Sequence, residues 1–572
     1  MKYIVVIGSV ISGIGKGITS SSIGILFQSM GYTVTMIKVD PYLNCDSGTM
    51  GPAQHGECFV LSDGGECDLD LGNYERFLDI ELTRDHNITT GKIYQRVINK
   101  ERNGDYLGAT VQVVPHITDE IIAHISRVSR LPVNGETPDI CIIEVGGTIG
   151  DIEVLPFVEA IQQMRTMTES EGQDQFCFVC VSLAINNPEL KTKPIQHSIA
   201  TLRSRGIFPD ILVVRSSELL TDEVKHKLHR LCQITPTNII SNPNVSTIYH
   251  VPAIFNNQQI CNRIGSKLGL EFDSTNLPVP YTDILNYYNN LPSPLEIRPK
   301  RIGIVGKYIG QADTYLSLVR AIEHASFHLN MSTKIIWIDS ENCNELEISR
   351  CHALIIPGGF GSRGIQGKLQ VAEYARKSKT PLLGICLGMQ VMVVDSLKQY
   401  GVNASSREWA DDNSGIDYAI DILPDQTGIK GGTMRLGNYT TILTNNRIRD
   451  LYGSDIIVER HRHRYEVNNK YLSDIEASGL SIVGKGMSSP LLLSSTENSS
   501  VKSTEYPVVK SMNGYLVTDA ERSHLLNLSN LVEIVQQEDH PFYIGCQFHP
   551  ELKSRHKRPH PLFLGLLRAC IK

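Results

Sequence analysis

Cys386 follows the apolar run Pro381-Leu382-Leu383 within Gly384-Ile385-Cys386-Leu387-Gly388-Met389, and His549-Pro550-Glu551 stands near the far end of the chain. A strand running into a glycine-flanked cysteine describes a nucleophile elbow, because the sharp turn needs small neighbours to lift a reactive side chain clear of the sheet. Cys386 would attack and His549 would take its proton. Glu551, on the same side of an extended segment, would hold the imidazole in the right tautomer. Upstream, Pro357-Gly358-Gly359-Phe360-Gly361 offers backbone N–H groups to an oxyanion. Taken singly, a cysteine in an apolar run is a small core residue and a histidine beside proline a loop residue. The combination points to covalent catalysis.

A second chemical centre is written at the other end of the chain. After the apolar run Ile4–Ile7 comes Gly8-Ser9-Val10-Ile11-Ser12-Gly13-Ile14-Gly15-Lys16-Gly17-Ile18-Thr19. A glycine-rich turn feeding a helix presents N–H groups and a positive dipole end to phosphate, and Lys16 adds a mobile charge. The strict P-loop pattern is not met, since Val10 occupies its first glycine position and Gly17 replaces the Ser/Thr after lysine. Lys38 ends a further strand, and Asp70 and Glu144 are the hard oxygen donors best placed for a metal on a nucleotide. Glu144 precedes Gly146-Gly147-Thr148, at the carboxyl edge of the sheet where open α/β folds bind ligands.

The elements that position these groups alternate short β-branched runs with helical periods: Ile4–Ile7, Thr33–Val39, Ile140–Val145, Phe176–Leu183 and Ile211–Val214. That pattern predicts an α/β fold of two domains, each a mostly parallel sheet covered by helices. At 572 residues the chain exceeds one ordinary core. The expected domains are residues 1–272 and 300–572, joined by a proline-punctuated linker over 273–299. Serine pairs at 488–489, 494–495 and 499–500 mark a surface insertion around 481–530.

Composition narrows the function classes. Hydrophobic residues at 41% and charged residues at 20% are ordinary for a globular enzyme, and a net charge of −7 argues against a general nucleic-acid binder. No apolar stretch approaches the roughly 20 residues that span a bilayer, and Tyr3–Gly8 is too short for a secretory core. Thirteen cysteines without an export signal imply a reducing, cytoplasmic setting. Cys177 and Cys180 form a C-x-x-C inside a strand composition, where i and i+3 face opposite ways, which disfavours redox or metal chemistry. In His461-Arg462-His463-Arg464 the interleaved arginines favour anion binding over zinc, with a solvated surface stretch as the plain alternative.

The elbow and the late His-x-Glu resemble the class I glutamine amidotransferases, in which the cysteine forms a thioester with glutamine and releases ammonia. Further strings carry the resemblance across nearly the whole chain: Gly15-Lys16-Gly17, Lys38-Val39-Asp40-Pro41-Tyr42, Gln54-His55-Gly56-Glu57, Asp68-Leu69-Asp70-Leu71-Gly72, Glu144–Thr148, Gly150-Asp151-Ile152-Glu153 and Lys191-Thr192-Lys193-Pro194-Ile195-Gln196. Together these are similar to the CTP synthase family. The resemblance implies a P-loop-type, dethiobiotin-synthetase-like amidoligase domain fused to a class I glutaminase, acting in pyrimidine nucleotide biosynthesis. ATP would phosphorylate O4 of UTP, and ammonia from glutamine would replace that phosphate at C4 to give CTP.

Carried over residue by residue, the resemblance implies that Gly13, Ile14, Gly15, Lys16, Gly17, Ile18 and Asp70 hold ATP, that Lys16 and Lys38 assist phosphoryl transfer, and that Asp70 and Glu144 bind Mg²⁺. UTP and product CTP would be held by Ser12, Asp151, Ile152, Glu153, Lys191, Thr192, Lys193, Pro194, Ile195, Gln196 and Lys227. Glutamine would meet Gly359, Leu387, Gly388, Met389, Gln390, Glu408 and Arg464, with the Gly359 and Leu387 region as the oxyanion hole. Arg363 and Gly432–Gly437 match the region tied to activation by GTP, and His55 matches a residue lining an ammonia passage. Ile195 stands where threonine is common, and Ser362 where an aromatic precedes the arginine. The family also implies a homotetramer whose subunit contacts complete the UTP site, with filament formation left open.

Two rivals compete with this reading. One is an amidoligase for another ATP-activated substrate, against which the triphosphate grip of Lys191–Gln196 and Lys227 counts. The other is a nucleotide-sensing scaffold without catalysis, against which the retained Cys386, His549, Glu551, Lys16, Asp70 and Glu144 count.

Overall fold

A seven-stranded, wholly parallel sheet organises the amino-terminal part of the chain, in the order Ile239–Pro243, Ile211–Ser216, Phe176–Leu183, Lys2–Gly8, Ile140–Val145, Val34–Asp40, Asn87–Thr89. Its central strands are buried along almost their full length, as the continuous Val/Ile runs require of a sheet covered on both faces. The computed structural model describes residues 1–170, 174–187, 189–270, 298–410, 415–423, 433–486, 509–511, 514–516, 522, 525–526 and 529–571. The two outer strands, Asn87–Thr89 and Ile239–Pro243, carry no apolar run long enough to announce them.

A second sheet of eleven strands organises the carboxyl-terminal part. Five strands run parallel in the order Thr333–Asp339, Lys300–Gly306, Ala353–Ile356, Leu382–Ile385, Tyr543–Cys546. Beyond them the sheet turns antiparallel through Leu531–Gln536, Ser481–Gly486, Arg435–Leu443, Ile456–His463, Gly514–Leu516 and Val509–Ser511. Both faces of the parallel part are covered. Leu354 and Ile356 enter one apolar cluster, while Ala353 and Ile355 enter the other, as the two-residue period of a strand dictates.

By packing, the chain divides into two compact units, Met1–Ser47 with Cys67–Asn290, and Gly48–Glu66 with Leu291–Lys572. The division is not contiguous, because Gly48–Glu66 packs within the second unit. There the Glu57 carboxylate accepts from the Ser317 N–H at 2.6 Å, and Arg460 donates to the Val60 carbonyl at 3.1 Å. The linker expected over 273–299 lies outside the described residues except for its last two positions. Ser481–Gly486, which the sequence reading places at the start of the insertion, is a strand of the second sheet with Val483 buried. The serine pairs of that insertion lie outside the described residues.

Two doubtful motifs resolve physically. Cys177 and Cys180 are buried in a central strand, and burial raises both thiols, Cys180 to about 12, so neither is available as a thiolate. The strand Ile456–His463 buries His461 and His463 completely, so the histidines are not part of a solvated stretch. Among the described residues no helix is long and apolar enough to cross a membrane.

Candidate active sites

Cys386 sits between the strand Leu382–Ile385 and the helix Leu387–Tyr400, with φ 52° and ψ −105°. That conformation is costly for a residue bearing a Cβ and persists only where its surroundings over-determine it. The flanking glycines permit it. A β-carbon on Gly388 would collide with the Ile356 carbonyl, and one on Gly384 would lie 2.8 Å from the Gly388 carbonyl group. Ile385 pairs with Cys546 of the last parallel strand, and the Cys386 N–H donates to the Cys546 carbonyl at 2.7 Å. The residues that follow that strand are thereby brought to the elbow.

His549 arrives this way, fixed by its own N–H to the Arg460 carbonyl at 2.8 Å and by Nδ1 to Glu551 Oε1 at 2.7 Å. Gly358 lies against both side chains, since a β-carbon there would lie 2.7 Å from His549 Cε1 and 3.5 Å from Cys386 Cβ. Burial alone would push the imidazole down. The Glu551 carboxylate and the Cys386 sulfur outweigh burial and hold it up to about 10, which favours an imidazolium at this position. The Cys386 side chain also lies 3.7 Å from the Arg462 carbonyl and 3.7 Å from Gln547 Nε2.

A cavity of about 600 Å³ opens beside the elbow, lined by Gly358, Gly359, Phe360, Glu408, Arg464 and His549 among others. Its lining carries acidic side chains (Glu57, Glu408 and Glu551) and basic ones (Lys307, Arg462 and Arg464) beside the elbow, groups of both signs that match a zwitterionic amino acid. Glu408 accepts from the Gly361 N–H at 2.9 Å, and Arg464 donates to Thr433 at 3.2 Å. Lys368, fully buried beside Gly359, is held down to about 7 by burial and then by Lys307. Nothing in the linear sequence marks it.

In the first unit, Gly15 ends the loop and the helix Lys16–Ser29 begins. Lys38 and Glu144 lie opposite each other on adjacent parallel strands, with Nζ 3.1 Å from Glu144 Oε1. The same ammonium bonds the Asp70 carboxylate and lies 3.6 Å from Asp68 and 3.8 Å from Asp40. Asp68 caps the helix Leu69–Leu78, and so delivers Asp70 in its first turn. Burial disfavours the Lys38 charge, but Asp70 and Glu144 outweigh it and raise the ammonium well above its ordinary value. Glu144 is raised by burial and by Asp70, and it accepts from the Tyr74 hydroxyl. Lys16 is lowered by burial and donates to the Gly147 carbonyl at 2.9 Å.

The departure at Gly17 has a steric cause. A β-carbon there would overlap the Asp70 carboxylate, with its Cγ 2.8 Å away, so a P-loop Ser/Thr would displace that acid. Arg215, at the end of Ile211–Ser216, was not singled out by the sequence. Its guanidinium lies against Gly15 and donates to Asn244 at 3.1 Å, putting a third cation on the loop. An arginine ending a parallel strand is the signal that could have marked it.

Asp70 and Glu144 suit Mg²⁺ chemically: both are hard oxygen donors, and they already converge on one positive group, the Lys38 ammonium. Among the described residues no cluster of three or more His, Cys, Asp or Glu forms a metal cage. Mg²⁺ is commonly held by one or two carboxylates plus substrate phosphates and water, without such a cage.

Two family profiles cover this chain, "CTP synthase N-terminus" over residues 2–270 and "Glutamine amidotransferase class-I" over residues 311–489 and 514–569. A CTP synthase of Dictyostelium discoideum is 43% identical over 612 aligned residues, covering 100% of this chain and 99% of that protein. A CTP synthase of Methanospirillum hungatei JF-1 is 44% identical over 580, again with 100% and 99% coverage. The chain belongs to the CTP synthase family. As a member it is a glutamine-hydrolysing, ATP-dependent ligase that makes CTP from UTP. Among solved structures, the glutaminase domain of Trypanosoma brucei CTPS with bound acivicin is similar over 48% of this chain and 94% of that one, at 29% identity and a TM-score of 0.38.

The remaining family positions divide by exposure. Ser12, Gly13, Asp151, Ile152, Glu153, Lys191, Lys193 and Lys227 are exposed. Lys191–Gln196 leads into the helix Lys193–Ser204, whose Ser198 accepts from the Val10 N–H at 3.3 Å, so that helix packs against the phosphate loop. Ile195 and Met389 are wholly buried in apolar clusters, which leaves only their backbone for a ligand. Gln390 is also buried, its amide committed to the Tyr465 carbonyl at 2.8 Å and to Gln547 at 3.2 Å. Arg363 is exposed, stacked on Tyr308 and paired with Glu341 at 3.0 Å. His55 is exposed on the short helix Pro52–His55, next to Glu57 and Cys58, which line the cavity.

Proposed function

We propose that Cys386, His549 and Glu551 release ammonia from glutamine, and that the loop around Lys16, with Lys38, Asp70 and Glu144, drives phosphoryl transfer from ATP to O4 of UTP. One observation carries the reading: a cysteine in strained left-handed backbone at a strand-to-helix turn, facing a histidine whose other nitrogen is 2.7 Å from a carboxylate. The Cys386 thiolate attacks the side-chain amide carbon, and the oxyanion is received by the N–H groups near Gly359 and Leu387. His549 gives its proton to the departing nitrogen, so ammonia leaves and a thioester remains. Water, deprotonated by the same imidazole, then releases glutamate. Glu408 and Arg464 hold the α-ammonium and α-carboxylate of glutamine, and the backbone of Leu387–Gln390 frames the side-chain amide.

In the ligase unit, UTP O4 attacks the γ-phosphorus of ATP and ADP leaves. Ammonia then adds at C4, loses a proton and expels phosphate to give CTP. A pyrimidine carbonyl oxygen is a poor leaving group until phosphorylated, and the transfer asks the protein for charge neutralisation more than for covalent help. Lys16, Lys38 and Arg215 supply cations beside the loop Gly13–Ile18. Mg²⁺ held by Asp70 and Glu144 would neutralise phosphate charge. Ser12, Lys191–Gln196 and Lys227 grip the UTP triphosphate, and Asp151–Glu153 meet CTP. The proposal extends to GTP as activator through Arg363, to ammonia passing by His55, to a cytoplasmic homotetramer, and to functional domains over 1–272 and 300–572 joined by 273–299.

Assay with UTP, ATP, Mg²⁺ and either glutamine or ammonia tests the reading. Cys386→Ala abolishes glutamine use and spares ammonia-dependent CTP formation, while Lys16→Ala stops both. Glutamine-dependent turnover in Cys386→Ala, or normal turnover in Lys16→Ala, would remove that residue from its role.

A further inference from the structure

We infer that Gln547 is a positioning residue for the Cys386 sulfur, donating an N–H hydrogen bond that holds and stabilises the thiolate; this deepens, and rests on, the reading of Cys386 as nucleophile. Gln547 directly follows the strand that pairs with the elbow strand, is 1% exposed, and is fixed by its N–H to the Glu533 carbonyl at 2.9 Å. Its Nε2 lies 3.7 Å from Cys386 Sγ.

The orientation of its amide follows from the chemistry of its neighbours. A backbone carbonyl can only accept, so the Gln390 atom 2.8 Å from the Tyr465 carbonyl is the amide nitrogen. That same nitrogen lies 3.2 Å from the Gln547 side chain, whose facing atom must therefore be the oxygen. The NH₂ of Gln547 is left pointing at the sulfur. The sulfur also lies 3.7 Å from the Arg462 carbonyl, which accepts from a thiol but gives a thiolate nothing. A buried anion without donors is expensive, so ionisation of Cys386 relies on His549 and on this second donor.

The test compares wild type with Gln547→Glu and Gln547→Met, reading the rate of Cys386 alkylation by iodoacetamide against pH together with kcat and KM for glutamine. Gln547→Glu keeps the size and still accepts from Gln390, but turns an acceptor toward the sulfur. It is expected to slow alkylation at neutral pH about tenfold or more and to move its midpoint up by about one pH unit, with kcat falling and KM little changed. Gln547→Met is expected to show the smaller effect of a lost donor without added charge. Ammonia-dependent CTP synthesis reports the integrity of the chain. A wild-type alkylation profile in Gln547→Glu overturns the inference. Should neither Gln547 variant fold, Gln390→Met, which frees the Gln547 amide to turn, carries the same test: an upward midpoint supports the inference and an unchanged one overturns it. Absence of rapid, pH-dependent alkylation at Cys386 in wild type is a separate failure, that of the nucleophile assignment.

Discussion

Gly358→Ala tests the geometry of the glutaminase centre with a single methyl group. Gly358 has no left-handed backbone to forbid alanine, so the effect is steric. The new β-carbon would lie 2.7 Å from His549 Cε1 and 3.5 Å from both Cys386 Cβ and His549 Nε2. Carbon atoms settle at about 3.5 Å or more, so the imidazole must retreat by about 0.8 Å. It has little freedom to do so, being tied to Glu551 at 2.7 Å and through its own N–H to the Arg460 carbonyl at 2.8 Å. A misplacement of that size costs about a hundredfold where proton transfer and attack share one geometry. Glutamine-dependent CTP formation should therefore fall about a hundredfold in kcat, while ammonia-dependent formation, which bypasses the elbow, stays at the wild-type level. A kcat for glutamine close to wild type would show that His549 is not held as described, and would refute the reasoning.

Gly17→Ser restores the usual P-loop residue but drives its β-carbon into the Asp70 carboxylate, and CTP formation from glutamine and from ammonia should fall together; a loss confined to glutamine would contradict the loop's role. Stability should also carry the signature of His549. Its folded-state value, up to about 10, lies above the ordinary value of about 6.5, so the stability it adds is whole below about pH 6.5 and is lost as pH rises toward 10. The unfolding temperature of the wild-type chain should decline across that window, and Glu551→Gln, which removes the nearest negative charge, should flatten the decline; an identical slope would discount the pair.

The two candidate centres could be proposed from the sequence because each motif is local. An elbow needs its glycines within two residues of the nucleophile, and a phosphate loop needs its glycines, lysine and helix in one stretch, so composition and spacing reveal them. The buried central strands were legible for a similar reason, their Val/Ile runs being continuous. What the linear chain concealed are groups defined by contacts across long separations. The Lys38 ammonium is caged by carboxylates from two other segments, and Arg215 reaches Gly15 from a distant strand. Gln547 meets Cys386 only because the last parallel strand pairs with the elbow strand. Gly48–Glu66 looks continuous with the first domain, yet its Glu66 carboxylate pairs with Arg462 at 2.9 Å within the second unit. The amino-acid order alone supplied the candidate reactive groups and the short turns that carry them. Their protonation, their aim and their steric limits were decided by burial and strand pairing, because charge and packing energies depend on distance in space and not on distance along the chain.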